Sequence, residues 1–512
     1  MLVNIYEEIE KLVQYGIANG LLYPEDAIYT RNRLLATLKI EDWKPVEVEI
    51  QENLSSPSPV LANIVDWAYE NGRLQTNTTT ERDIWDAKLM NCLMPRPSEV
   101  IREFYGRYVK RPEMATDWFY SLSKASNYIH VDRIAKNKKW KAMTNYGEID
   151  ITINLSKPEK DPKEIAKLKD LQASTYPMCV LCAENEGYEG TWRHPARSNH
   201  RVIPITLLDE PWCFQYSPYV YYDEHCIVFS RDHVPMKMER NTFARLLAFI
   251  EKFPHYFIGS NADLPIVGGS ILVHDHFQGG KYTFAIERAE MEEEFDLPSY
   301  PSLTAGIVRW PMSVIRVRGR KEEVLEVTDL IYRTWKAYSD PSVDIYAQSG
   351  DTPHNTVTPI ARRRGELFEM DVVLRNNRAS EEHPYGIFHP HAELHHVKKE
   401  NIGLIEVMGL AVLPGRLATE LETLAEYLVQ KTRKEDWAPS LLKHWDWYEE
   451  ISDTYPSITA ENVSGILQHE VGERFITVLE HAGVFKQTEK GKKAFRAFCQ
   501  KVRENCLDER HT

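Results

Sequence analysis

The sequence predicts an α+β protein, with antiparallel sheet and flanking helices between two helical ends. Three observations carry that expectation. Apolar residues recur at helical spacing near both termini, and they alternate with a period of two through the middle of the chain. A histidine-x-histidine element at 274–276 is echoed weakly at 389–391, about a hundred residues on, which points to degenerate duplication of one α+β unit.

Taken in order, Tyr6 to Ala18 and Glu99 to Val109 are helices by spacing, and Ser55-Ser56-Pro57-Ser58-Pro59 punctuates the stretch between them. Ile149, Ile151, Ile153 and Leu155 alternate as a strand with one apolar face. The charged run LSKPEKDPKEIAKLKDL (155–171) reads as a solvated linker or exposed helix. From Tyr176 to about Phe284 the chain turns strand-rich, with Tyr219–Tyr222 and Cys226–Phe229 as strands and Asn241–Phe253 as an apolar-faced helix. Leu367–Leu374 is a strand that leads towards His389-Pro390-His391, placing both histidine pairs at strand ends. From Trp437 onward the pattern is helical, with basic stretches such as Lys486 to Lys493 that suit a packing or dimer element. The boundaries drawn are 1–160, 161–300, 301–430 and 431–512.

Bulk properties exclude several classes. With 512 residues, 43% hydrophobic content, 26 tyrosines and 12 tryptophans, the chain has the composition of a globular enzyme of two or more structural units. A net charge of −14 argues against a general nucleic-acid binder, though a local arginine cluster can still serve an anionic substrate. Seven cysteines lack disulfide-scaffold spacing. The acidic, amphipathic start MLVNIYEEIEKLVQYGI is not a signal peptide, and no apolar run approaches the roughly 20 residues of a membrane span. The expectation is a soluble, cytoplasmic protein without membrane or nucleic-acid partners.

The chemistry concentrates in DLPIVGGSILVHDHFQGG, residues 263–280. Ser270–Val273 reads as a buried strand, so His274, His276 and Gln278 recur every second residue on one face, roughly 6–7 Å apart. Gly268 and Gly269 permit close backbone approach, and their N–H groups, with Ser270, can cradle a phosphate. Asp275 falls on the opposite face. A phosphate cradle beside a neutral imidazole is the minimum equipment for nucleotidyl transfer through a phospho-histidine.

The pattern GG-x(4)-H-x-H-x-Q resembles the histidine-triad superfamily in its transferase branch. The full string is similar to the signature of class II galactose-1-phosphate uridylyltransferases, as are YPMCVLCAENEGYEG, IVFSRDHVPM and FHPHAELHHVKKENIGLIEVMGLAVLPGRL. The resemblance implies two histidine-triad-like halves, here 161–300 (catalytic) and 301–430, with a helical N-terminal region and C-terminal extension, and a homodimer. It implies His276 as the nucleophile that takes UMP from UDP-glucose, releases glucose 1-phosphate, and passes UMP to galactose 1-phosphate in galactose metabolism. Gln278 suits that exchange: a sugar phosphate leaves without needing a proton, so a neutral donor to a phosphate oxygen suffices, whereas a third histidine would supply acid catalysis. A phosphorylase acting on a nucleotide sugar or dinucleotide through the same adduct is the second reading. A metal-dependent binding protein with a degenerate site is the third.

Cys179-Val180-Leu181-Cys182 alone is compatible with two buried cysteines, a redox pair or half a metal site. The resemblance matches Cys179, Cys182, His233 and His274 to a structural zinc site, and His354, His389 and His391 to a second metal site found in some class I enzymes. Arg193, Arg197 and Arg201, spaced by four, form a basic cluster suited to the pyrophosphate. Lys398, Lys399 and Arg416 are either hexose-phosphate ligands or a solvated face.

Overall fold

A computed structural model describes residues 3–48, 56–156, 175–269 and 271–508. Most of the charged run 155–171, Ser55 and Ser270 lie outside the described residues. The chain divides into two compact units, one of residues 1–136 and 156–234, the other of 137–155 and 235–512. Among the described residues no helix is long and apolar enough to cross a membrane.

The first unit begins with helices Ile5–Ala18, Ala27–Leu38, Ser58–Glu70, Thr79–Asn91, Pro97–Tyr108 and Pro112–Ala125. Local chemistry sets their starts. The Asn4 side chain accepts from the Tyr6 N–H, and Pro97 and Pro112 open their helices where a backbone N–H would have no intrahelical partner. A three-stranded antiparallel meander follows, Ile203–Leu207, Glu210–Tyr216 and Cys226–Ser230. Leu208 and Asp209 both take positive φ (51° and 63°), the geometry of a two-residue turn whose twist matches its strands. Phe104 and Phe119 on the helices pack against Phe214 of the central strand, joining the layers.

Tyr219–Tyr222, expected as a strand, is a turn. Val220 and Glu224 sit at φ 40° and 51°, which no strand accommodates, and Tyr222 instead buries itself against the His225 ring at 4.5 Å. Aromatic and β-branched composition marks a half-buried surface, and here a turn supplies that surface.

The second unit is organised by seven antiparallel strands in the order His276–Gly280, Phe257–Gly259, Asn355–Arg364, Leu367–Asn376, Val314–Gly319, Thr304–Val308 and Met291–Glu294. Helices Arg240–Lys252 and Lys321–Lys336 pack on it with Phe243, Leu246, Leu247 and Ile250 of one and Val324, Val327, Ile331 and Trp335 of the other buried. The Trp335 indole N–H is shared by the carbonyls of Thr356 and Arg375, both at 3.0 Å, so the helix is keyed to both arms of the long hairpin. A separate sheet joins Lys138–Thr144, Gly147–Ile153 and Leu410–Leu413. Helices Trp445–Thr454, Val463–Ala482 and Glu489–Asp508 complete the unit, as the spacing after Trp437 predicts.

Element order repeats along the chain. Three strands, a helix and two strands (203–207, 210–216, 226–230, 240–252, 257–259, 276–280) recur as 291–294, 304–308, 314–319, 321–336, 355–364 and 367–376, apart from a small ladder at 348–353. The α+β architecture with a duplicated unit is therefore present. The histidine echo is placed differently: His389 and His391 lie in a loop between Leu367–Asn376 and Leu410–Leu413, not at a strand end.

Candidate active site

The strand that carries His276 is shorter than its sequence suggests. It runs from His276 to Gly280, and residues 271–275 form an extended turn. Val273 is exposed, and Met236 N–H donates to the Leu272 carbonyl at 2.9 Å, a crossing outside any strand. His276 and Gln278 still share a face, with Phe277 buried on the other, while His274 precedes the strand.

Upstream, the chain is pinched. Gly268 bridges Ala262, and a Cβ at Gly268 would lie 2.5 Å from the Ala262 carbonyl oxygen and 2.7 Å from that of Leu264. A Cβ at Gly269 would meet the Asn261 side-chain nitrogen at 2.7 Å. Close backbone approach, rather than positive φ, is what these two glycines permit. Ile266 between them and the anchor holds φ 74°, an outlier for a β-branched residue and a mark of locally stored strain. Asp263 anchors the loop: one oxygen accepts from Met238 N at 2.8 Å and the other from Thr356 Oγ1 at 2.6 Å. Asn261 accepts from Leu404 N at 2.9 Å. The sequence motif contains Asp263, but only the fold shows that it positions the loop.

His276 is 5% exposed, and its Nδ1 lies 2.8 Å from the His274 carbonyl oxygen. A carbonyl can only accept, so Nδ1 carries the hydrogen and Nε2 keeps its lone pair. Burial pushes the imidazole down to about 4, so the ring is neutral at physiological pH. Gln278, half-buried, stands opposite Gly259 in the neighbouring strand.

In the first unit, Cys179 Sγ lies 3.5 Å from Cys182 Sγ, and Cys182 Sγ lies 3.2 Å from His233 Nδ1. Tetrahedral zinc with bonds of about 2.3 Å to sulfur and about 2.0–2.1 Å to nitrogen requires edges of about 3.8 Å (S–S) and about 3.5 Å (S–N). The observed edges are about 0.3 Å short of these, so the donor set fits zinc after a small expansion. Backbone N–H groups of Cys179 and Leu181 point at the two sulfurs, and Asn185 ties down both cysteine carbonyls at 2.8 Å. His274, in the second unit, is fully buried.

His354, His389 and His391 do not converge. The His354 ring is spent on Asn377 Oδ1 (2.8 Å) and Ser349 Oγ (2.9 Å), and His389 on the Pro390 carbonyl (3.1 Å) and Asn401 Oδ1 (3.3 Å). His391 stacks on His383 at 3.9 Å and gives its Nε2 to the Ile387 carbonyl. Among the described residues the donors that approach His391 are Glu393 and His481, so the expected second metal set is not formed. His389 and His391 lie in a loop that folds on itself, while His354 sits immediately before the strand Asn355–Arg364, which residue spacing could not reveal.

The three arginines have different environments. Arg201 is buried and donates to the carbonyls of Pro95 (2.9 Å), Ser198 (3.1 Å) and His200 (2.8 Å) and to Asn91 Oδ1 (3.2 Å), a structural role. Arg193 is exposed, and Arg197 lies over the Tyr128 ring at 5.3 Å; both line a cavity. Lys398 is buried, with Nζ on Glu406 and the Val412 carbonyl, each at 3.0 Å, and Arg416 pairs with Glu420 at 2.7 Å.

Residues 20–235 match the family model for the galactose-1-phosphate uridyl transferase N-terminal domain, and residues 249–447 match that of the C-terminal domain. Galactose-1-phosphate uridylyltransferase of Halalkalibacterium halodurans is 57% identical over 499 residues, covering 97% of this chain and 98% of the relative. That of Bacillus subtilis is 53% identical over 505 residues, covering 98% of each. That of Clostridium acetobutylicum is 50% identical over 495 residues, covering 96% of this chain and 99% of the relative.

Proposed function

The chain belongs to the galactose-1-phosphate uridylyltransferase family, and we propose that it moves UMP from UDP-glucose to galactose 1-phosphate through a covalent adduct on His276. The observation that carries the mechanism is the bond from His276 Nδ1–H to the His274 carbonyl, which leaves Nε2 unprotonated and aims the ring from a rigid strand.

In the first half-reaction the Nε2 lone pair attacks the α-phosphorus, a P–N bond forms, and the P–O bond to glucose 1-phosphate breaks. The leaving group departs as a phosphate and takes no proton. Nδ1 keeps its hydrogen throughout, and the positive charge that develops on the ring is met by the His274 carbonyl dipole. Gln278 donates to a non-bridging oxygen, where charge accumulates. In the second half-reaction a phosphate oxygen of galactose 1-phosphate attacks, the P–N bond breaks and its electron pair returns to Nε2. Two inversions at phosphorus give net retention.

The pinched backbone at Gly268 and Gly269, with Ser270, holds the transferred phosphate, and Arg193 and Arg197 meet the pyrophosphate. Arg201 supports their loop. We assign Cys179, Cys182, His233 and His274 as the residues that would hold a zinc, which would be a closed structural ion. The working form is a homodimer.

Intact mass after brief incubation with UDP-glucose tests the reading. The wild-type protein is expected to gain one uridylyl group that galactose 1-phosphate discharges, and His276→Asn to gain none. An adduct retained by His276→Asn would refute the assignment of the nucleophile. Discharge by inorganic phosphate but not by galactose 1-phosphate would replace a transferase with a phosphorylase.

A further inference from the structure

A second cavity, of about 1090 Å³, lies in the first unit between the helices Ala27–Leu38 and Pro97–Tyr108, and neither His276 nor Arg193 nor Arg197 lines it. Its charge is opposite to that of the chain. The whole sequence carries a net charge of −14, yet five arginines line this cavity against three carboxylates, Asp26, Glu99 and Glu103. Two of those carboxylates are already engaged. Glu103 accepts from Arg107 Nε at 2.7 Å, and Glu99 accepts from the Arg96 N–H at the start of its own helix at 2.9 Å. Arg33 and Arg102, exposed on the two helices, form no ion pair among the described residues.

Arg201 is the buried member of the set, at 8% exposed. Its bonds run to neutral oxygens, those of the Pro95, Ser198 and His200 carbonyls and the Asn91 amide. Burial holds the guanidinium below its ordinary value, with the Glu186 carboxylate offsetting part of that effect. A buried cation bonded to dipoles alone is stabilised by an anion brought beside it. The rim is aromatic: Tyr23 is 76% exposed and Tyr29 63%, and Trp118 carries the Arg107 guanidinium over its ring at 5.4 Å. Large rings left in water at the edge of a cavity are surface that a ligand can cover. Forked cations beside flat apolar walls match a phosphate ester whose organic part is planar.

We propose that this cavity binds a phosphorylated small molecule at a site separate from that of uridylyl transfer, with Arg33, Arg102 and Arg201 meeting its phosphates and Tyr23 and Tyr29 covering its organic part. A guanidinium presents two parallel N–H groups to two phosphate oxygens, and arginines on opposite walls can hold more than one phosphate. The concave shape favours a small ligand over a nucleic-acid strand, whose phosphates would run past Asp26, Glu99 and Glu103.

Calorimetric titration of the full-length protein with adenosine triphosphate and with inorganic tripolyphosphate tests this site. Both are expected to bind saturably, and more weakly as salt is raised. Arg33→Ala and Arg102→Ala should each weaken both probes about tenfold, with unchanged melting temperature because both side chains are exposed. Tyr29→Ala should weaken adenosine triphosphate about threefold and leave tripolyphosphate within about twofold. Saturating UMP should leave both affinities within about twofold, and intact mass should show the same adduct with UDP-glucose in the arginine variants as in the wild type. Absence of saturable binding overturns the proposal, as does binding that neither arginine variant weakens. Displacement of the probes by UMP, or loss of the adduct in Arg33→Ala or Arg102→Ala, would place them in the transfer site and overturn the separation. Citrate bound as tightly as tripolyphosphate through the same arginines would overturn the choice of phosphate.

Discussion

Replacing Asp371 with asparagine should loosen the sheet that carries the strand His276–Gly280. Asp371 is fully buried and accepts from Arg316 Nε (2.7 Å), Arg316 Nη2 (3.0 Å) and Arg362 Nη1 (2.9 Å), with Arg362 Nη2 also in contact. Glu369, likewise buried, lies 3.2 Å from Arg362 Nε and 3.1 Å from Arg364 Nε. Asparagine keeps one acceptor oxygen and turns an amide N–H₂ towards a guanidinium. Breaking a buried pair from one side costs about 3–5 kcal/mol, and the retained Glu369 places this site near the lower end, about 3 kcal/mol. At 1.4 kcal/mol per decade, that is roughly a hundredfold faster amide exchange through global or sub-global opening of the hairpin. Hydrogen exchange of peptides from 355–376 reads the effect within this unit, which a single unfolding midpoint of a two-unit chain would blur. The Asn355–Arg364 strand pairs with Phe257–Gly259, which pairs with the strand His276–Gly280, so kcat should fall as exchange rises if His276 is the nucleophile proposed above. A change below about threefold in exchange would show that solvent or neighbouring charges already stabilise the guanidiniums, and the reasoning fails. The pH dependence follows from the same pair. Burial alone would raise the Asp371 carboxyl, but the Arg362 and Arg316 guanidiniums outweigh it and hold it below its ordinary value. A carboxyl depressed in the folded state stabilises above its unfolded pKa, about 4, and that stability is lost as pH falls further; the asparagine variant should lack this acid-sensitive component.

Three more outcomes are expected. Metal analysis should find about one zinc per chain, lost in Cys182→Ser together with the rate of adduct formation on His276; full activity without metal would show that the loop holds itself. Arg201→Ala should destabilise the first unit by about 3 kcal/mol, because four acceptors lose a buried donor, whereas Arg197→Ala should raise the KM for UDP-glucose with the melting temperature nearly unchanged. The Asp86 carboxyl, raised in the folded state, favours folding at low pH; this contribution is lost between about pH 4 and its folded pKa of about 7. Asp86→Asn should therefore gain melting temperature relative to wild type at pH 7.5 and not at pH 4, and equal behaviour at both would refute the shift.

What the sequence made legible was local. His276 and Gln278 share one face whether the strand is extended back to 270 or begins at 276, since the period of two survives the change of boundary. The run Ile271–Val273 was indistinguishable from a strand because an apolar run reports burial, and only the Met236–Leu272 crossing and the exposure of Val273 show a loop. The arginine network was hidden for the opposite reason. Arg316 and Arg318, Arg362 and Arg364, and Glu369 and Asp371 alternate along their strands as a solvent-facing side would, yet most of them are buried and pair across the ladder. Asp86 and Asn127, 41 residues apart, meet only because a helix end and a left-handed asparagine bring them together.

The tautomer of His276 is set by a backbone carbonyl, not by a carboxylate, and this has consequences for how the site can fail. A carboxylate partner would hold the imidazolium more strongly and raise its pKa; the neutral carbonyl orients the ring while leaving Nε2 a free base in a buried setting. No side-chain substitution can delete that acceptor, so the ring orientation of His276 depends on the path of residues 261–275. Among the contacts that hold that path are Asp263 on Met238 and Thr356, Asn261 on Leu404, Met236 on Leu272, and Gly268 on Ala262. Two of these partners, Thr356 and Leu404, belong to the later part of the chain, on the second repeat's hairpin and in the segment after it. Among the described residues the second repeat's histidines gather no metal set of the expected kind, yet Thr356 of its hairpin helps to fix the backbone from which His276 projects.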